Sequence, residues 1–115
     1  LRRQRQMCIR DRIIRMTQYI DLHYNEDLSI DNIAQHFNIS TGYLSRYFKS
    51  HLNVTVKEYL IAVRLKKARQ DVLFSNYTIL EIAYLHGFPN LKSFINVFKK
   101  VYHDTPAKYR EKVRK

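Results

Sequence analysis

The chain has 115 residues, with 21 Lys and Arg against 10 Asp and Glu for a formal charge of +11, enough for one compact domain or two very small ones. Its strongly positive surface field favours a polyanion such as phosphate backbone. The single cysteine, Cys8, excludes an internal disulfide framework and any multi-cysteine zinc site and fits a reducing cytosol, while no apolar run is long enough to span a bilayer or to serve as a signal peptide.

Residues 1–12, LRRQRQMCIRDR, show no helical apolar period and are expected to form a disordered or artefactual N-terminal segment. MCIRDR resembles the translated read-through of a sequencing adapter; the alternative is a genuine basic arm. Without this segment sixteen basic and nine acidic residues remain, a charge of +7, so the basic character does not depend on it.

From Ile13 onward the pattern is helical throughout. Ile13, Ile14, Met16, Thr17, Ile20 and Tyr24 form an apolar stripe on a first helix ending near Asn25. Ser29 is a good N-cap for a second, with Ile30, Ile33, Ala34 and Phe37 on one face, and Ser40 for a third, bearing Leu44, Tyr47, Phe48 and Leu52. Thr55-Val-Lys-Glu58 is a capping box that opens a long helix to about Phe74, and Thr78-Ile-Leu-Glu81 opens a short one with Ile79, Ile82, Ala83 and Tyr84. Asn90 caps a helix carrying Phe94, Val97, Phe98 and Val101. Thr105-Pro106 starts a last one, where proline's missing amide is not needed, with Tyr109 and Val113 inward. Gly42, Gly87, Pro89 and Pro106 all sit near expected turns, and no segment alternates with the period of a half-buried strand.

Two stretches of this all-α pattern repeat at an offset of about fifty residues. Ser29/Thr78, Ile30/Ile79, Ile33/Ile82, Ala34/Ala83, Asn38/Gly87, Ile39/Phe88, Leu44/Phe94, Phe48/Phe98, Lys49/Lys99, Thr55/Thr105 and Tyr59/Tyr109 correspond, with one extra residue in the second turn. Each copy reads as short helix, tight turn, second helix. The small Ala lets the two helices cross closely, and Asn38 and Gly87 tolerate a left-handed turn. This is a helix-turn-helix pattern, and the expected organisation is a first subdomain over residues 13–54, a linker helix over 55–74 and a second subdomain over 75–115.

From Ile13 to Arg110 the chain resembles the DNA-binding domain of AraC/XylS-family transcription regulators. The resemblance rests on Leu28-Ser-Ile-Asp-Asn-Ile-Ala34, Tyr43-Leu-Ser-Arg-Tyr-Phe-Lys49, Tyr59-Leu60 with Arg64-Leu-Lys-Lys-Ala68, Ile79-Leu-Glu-Ile-Ala83, Gly87-Phe88, Phe94 to Lys100, and Thr105-Pro-Ala-Lys-Tyr-Arg110. It implies a seven-helix domain of two helix-turn-helix subdomains joined by a long linker helix that holds two recognition helices in successive major grooves of double-stranded promoter DNA. It also implies a cytoplasmic regulator, an RNA polymerase contact if the protein is an activator, and an effector or dimerisation domain missing from this chain. Asn53 and His103 stand where the family usually has glycine, and both tolerate positive φ better than most residues. Asn96 replaces a common arginine and Ile95 a small polar residue, which leaves the base preference of the second unit open.

Recognition helices present their N-terminal turns to base edges, so the expected base contacts are Thr41, Gly42, Ser45 and Arg46 in the first unit and Leu91, Lys92, Ile95 and Asn96 in the second. Arg46 is suited to guanine and Asn96 to adenine. Lys49, Lys99, Lys100 and Arg110 are expected phosphate contacts. No catalytic residue, metal site or cofactor is expected: the five histidines share no i, i+4 spacing and read as surface or turn residues. A protein-binding helical module and an enzyme are the rival classes; steep salt dependence would separate a DNA reader from the first, and a pocket of convergent titratable groups would mark the second.

Overall fold

A computed structural model describes the backbone of residues 2–114 and the side chains of residues 11–114. Seven helices follow in order: α1 Arg2–His23, α2 Ile30–His36, α3 Thr41–Leu52, α4 Val56–Phe74, α5 Ile79–Leu85, α6 Leu91–Tyr102 and α7 Pro106–Val113. No strand occurs among the described residues, and the all-α class holds. One boundary differs from expectation. Residues 2–12 are not irregular but form the first turns of α1. Arg, Gln and Met are good helix formers, and no Gly or Pro interrupts them, so propensity extends a helix that apolar periodicity begins only at Ile13.

The local punctuation is as the residues dictate. Ser29, Ser40, Asn90 and Thr105 each accept a hydrogen bond from the backbone N–H three residues on. Thr55 with Glu58 and Thr78 with Glu81 form reciprocal capping boxes, with each glutamate accepting from the threonine N–H at 2.8 and 2.9 Å. Asn38 (φ 57°) and Gly87 (φ 89°) occupy the left-handed region in the two turns, and Asn53 (φ 60°) and His103 (φ 68°) do so after the two recognition helices. Asparagine and histidine therefore take a conformation that glycine would adopt without strain.

The chain folds as two compact units that divide between Leu60 and Ile61, inside α4, so this helix contributes to two cores. In the first unit Met16, Ile20, Ile33, Ala34, Leu44, Phe48, Val56 and Leu60 form the buried cluster. Tyr59 closes its edge, donating to Asp21 at 3.1 Å; burial, with Asp21 beside it, pushes its pKa up to about 12. In the second unit the cluster is Leu65, Ala68, Val72, Ile82, Ala83, Phe88, Phe94 and Phe98. Four residues expected to face inward do not: Ile14, Tyr84, Val101 and Val113 are all exposed. Each lies at the margin of its helix's apolar stripe, where periodicity does not say how wide the covered strip is.

The second unit is fastened by polar contacts between residues distant in sequence. Arg110, on α7, donates from Nε to the carbonyl of Val72 (2.9 Å), from Nη1 to Tyr77 (2.7 Å) and from Nη2 to Asp71 and Ser75 (3.1 and 3.3 Å). These carbonyls end α4 and begin the loop after it, where helical partners run out and a cation complements the helix dipole. Arg110, expected as a phosphate contact, uses its fork to clasp α7 to the end of α4. Arg69 donates to the Tyr109 hydroxyl at 3.2 and 3.0 Å and lies over the Tyr102 and Tyr109 rings. His86, expected as a surface or turn residue, caps the end of α5 but is buried, donating from Nε2 to Asp71 at 2.6 Å.

Arg110→Met should lower unfolding free energy by about 2–3 kcal/mol, since it removes hydrogen bonds from a charged donor. Arg110→Lys should recover less than half of that, because an ammonium cannot reproduce the fork; urea denaturation measures both, and an unchanged midpoint for Arg110→Met would contradict the clasp. The capping boxes make a pH prediction. The threonine N–H and then its hydroxyl hold the Glu58 and Glu81 carboxyls below the usual range. Groups with depressed folded pKa values stabilise above the unfolded carboxylate value, about 4.3, and lose that contribution as pH falls through the folded values. The melting temperature should fall on acidification below about pH 5, and the double variant Glu58→Gln, Glu81→Gln should show a shallower fall.

Candidate nucleic-acid interface

The helix-turn-helix frame points one face of α3 and one face of α6 away from their cores. Leu44 and Phe48 in α3, and Phe94 and Phe98 in α6, are fully buried, and two anchors one turn apart fix each helix's rotation. The opposite face of each helix is therefore turned outward. In the first unit this leaves Thr41, Ser45 and Arg46 exposed, with Gly42 partly so. A Cβ built on Gly42 would stand 3.2 Å from Arg46 Nη1, so the guanidinium lies across the first turn of α3 in the space the glycine leaves open. Lys49 is exposed one turn on and donates to the Asn53 carbonyl at 3.3 Å.

The second unit presents the equivalent positions with different chemistry. Lys92 and Asn96 are exposed, as are Lys99 and Lys100. Leu91 and Ile95 are half-buried, and Leu91 packs against the second core, so only part of its side chain faces outward. Neither α3 nor α6 carries an acidic residue in its first turn. The partial positive charge of both helix starts is therefore left uncompensated, which suits an anion or an electron-rich base edge.

One contact near this face had no signal in the sequence. Arg12 Nη1 donates to the Tyr43 hydroxyl at 3.1 Å, which brings a cation of α1 against the third residue of α3. Tyr43 is the first ring of a ladder along α3, with Tyr47 at 5.7 Å and His51 a further 4.1 Å from Tyr47. The partners lie 31 residues apart, beyond the reach of any local pattern. No group of three or more potential metal ligands occurs among the described residues, and no helix is long and apolar enough to cross a membrane.

Known proteins share this arrangement. A family model described as a helix-turn-helix domain matches residues 33–112. An uncharacterised HTH-type transcriptional regulator of Staphylococcus aureus is 34% identical over 100 residues, covering 87% of this chain and 13% of the relative; the chain thus spans about an eighth of the length of such relatives. Among solved structures, the C-terminal domain of AraT, a response regulator from Geobacillus stearothermophilus, superposes with a TM-score of 0.83 at 33% identity, covering 87% of this chain and 84% of that one. The DNA-binding domain of the global transcriptional factor AdpA, solved with a target DNA, gives 0.84 at 22% identity over 89% and 92% of the two chains, a likeness of fold. With its paired helix-turn-helix units and a family model matched over most of its length, the chain belongs to the AraC/XylS-type helix-turn-helix family, the DNA-binding domains of transcription regulators.

Proposed function

We propose that this chain reads promoter DNA by placing α3 and α6 in successive major grooves of double-stranded DNA, with Thr41, Gly42, Ser45 and Arg46 at the base edges of one half-site and Leu91, Lys92, Ile95 and Asn96 at those of the other. The observation that carries the reading is the equivalence of Arg46 and Asn96. Both are exposed, both follow buried anchors at the same place in the repeat, and each stands on a helix whose first turn holds no acid. Lys49, Lys99 and Lys100 continue these faces and suit phosphate. The 19 residues of α4, at about 1.5 Å each, extend close to the length of one DNA turn. Family and fold are those of regulators rather than enzymes.

The wider setting follows from the same reading. A DNA-binding regulator works in the cytoplasm of a bacterial cell, and an effector or dimerisation domain outside these 115 residues would suit it. An activator of this kind would also meet RNA polymerase at the promoter.

Affinity for duplex DNA should fall by about 100-fold between 50 and 200 mM salt if about four phosphates are neutralised. Fluorescence anisotropy across a salt series reads the slope, and a flat response would leave the protein-binding alternative. The two units should also discriminate differently. Arg46→Ala should cost about 1–3 kcal/mol on the preferred site and relax preference at one or two positions of the first half-site. Asn96→Ala should act on the other, A·T-leaning and more permissive half alone. Selection from a random duplex pool with each variant measures both, and equal weakening on all sequences would make these residues phosphate anchors instead.

A further inference from the structure

The two short helices end alike in backbone and differently in side chain. Phe37 closes α2 at φ −94° and ψ 5°, His86 closes α5 at φ −101° and ψ 15°, and each precedes the left-handed residue of its turn. Phe37 meets the Tyr19 ring of α1 edge-on at 5.7 Å, at the margin of the first core. His86 is 7% exposed, and its Nε2 donates to the Asp71 carboxylate of α4 at 2.6 Å. The frame thus accepts an apolar attachment at this position, and the polar one is particular to the second unit.

The two attachments differ in what they fix. A ring edge on a ring slides at little cost, whereas a short hydrogen bond to a carboxylate holds its partners in distance and angle. Asp71 is itself held, because its carbonyl accepts from Arg110 Nη2 at 3.1 Å and from Ser75 Oγ at 2.7 Å. Only residues 87–90 separate His86 from the first turn of α6, and Phe88 N–H closes that connection onto the Ala83 carbonyl. A displacement of His86 therefore reaches Lys92, Ile95 and Asn96 with little slack to absorb it.

We propose that His86 is a positioning residue for DNA reading by the second unit: through Asp71 it fixes where α6 begins, and so how Lys92, Ile95 and Asn96 meet their half-site. The inference rests on the DNA reading above. It makes discrimination at one half-site depend on a polar pair outside the reading face, while the other half-site is framed at the equivalent position by ring packing.

The test uses a duplex recovered by selection with this chain, altered in one half-site at a time. The readout is the ratio of affinities for matched and altered duplex at each half-site. His86→Phe installs the residue that the first unit carries. It should lower the ratio on the order of fivefold at the half-site where Asn96→Ala acts, and leave the Arg46 half-site unchanged. His86→Gln, whose amide N–H can take the place of Nε2, should restore most of that loss. Asp71→Asn keeps the shape and an acceptor but not the charge, and should lower the same ratio about twofold. Circular dichroism at the assay temperature separates folding from reading, and if His86→Phe is unfolded there, Asp71→Asn decides. Equal losses at both half-sites, no loss at either, or a Gln variant no better than the Phe variant would overturn the proposal. If the unsubstituted chain discriminates at neither half-site, the DNA reading fails and this proposal fails with it.

Discussion

What each recognition helix can offer to a groove is set by the two side chains that lock its rotation. Leu44 with Phe48, and Phe94 with Phe98, are sealed from solvent, and each pair sits one turn apart on one side of its helix. Neighbouring rings hold the lock: Tyr59 meets Phe48 edge-on at 5.5 Å, and Phe98 is met by Phe94 at 5.8 Å and by Tyr109 at 5.3 Å. A slip of one residue would turn a helix by about 100° and carry Arg46 or Asn96 off the outward face. Packing in the core and chemistry at the surface are therefore one constraint viewed from two sides.

The lock works only if the preceding helix meets the recognition helix at the right angle, and that depends on a turn with no slack. In both units a left-handed residue, Asn38 or Gly87, follows the short helix, and the next amide closes back onto the small buried residue, Ile39 N to Ala34 O at 3.0 Å and Phe88 N to Ala83 O at 2.9 Å. Alanine permits close approach, and the left-handed residue reverses the chain. Caps, turns and anchors of this kind act over three to five residues, which is why they are legible in the sequence. The repeat made them more so, because each copy served as a check on the other.

Where the sequence was silent, the missing information was long-range or a matter of degree. Nothing local in the sequence announces the clasp made by Arg110, because its acceptors are carbonyls 33 to 39 residues away. The same holds for His86 with Asp71 and for Arg12 with Tyr43, pairs that only the tertiary fold brings together. Tyr84 and Val101 fail differently. Their helical phase placed them near a buried stripe, but the width of that stripe depends on what covers it, and nothing in the second unit covers these two. The outward faces of α3 and α6 were legible as faces; which bases they meet is a property of the complex, and no pattern in one chain encodes it.

The two units share a frame yet present different side chains on their outward faces. In the first, Gly42 contributes no side chain, and Arg46, the longest side chain on that face, occupies the space left over the first turn of α3. One flexible two-point donor thus has room to find its acceptors. In the second, the position equivalent to Gly42 is Lys92, which is exposed, and the position equivalent to Arg46 is the shorter Asn96. Leu91 and Ile95 are half given over to the protein, so they present methyl groups at close range rather than donors at a distance. A long donor with room to move can select one acceptor pattern in a rigid groove, whereas several short contacts must be matched by the shape of the groove as a whole. On the DNA reading proposed above, lysine in place of glycine and asparagine in place of arginine on one unchanged scaffold would turn a pointed contact into a distributed one.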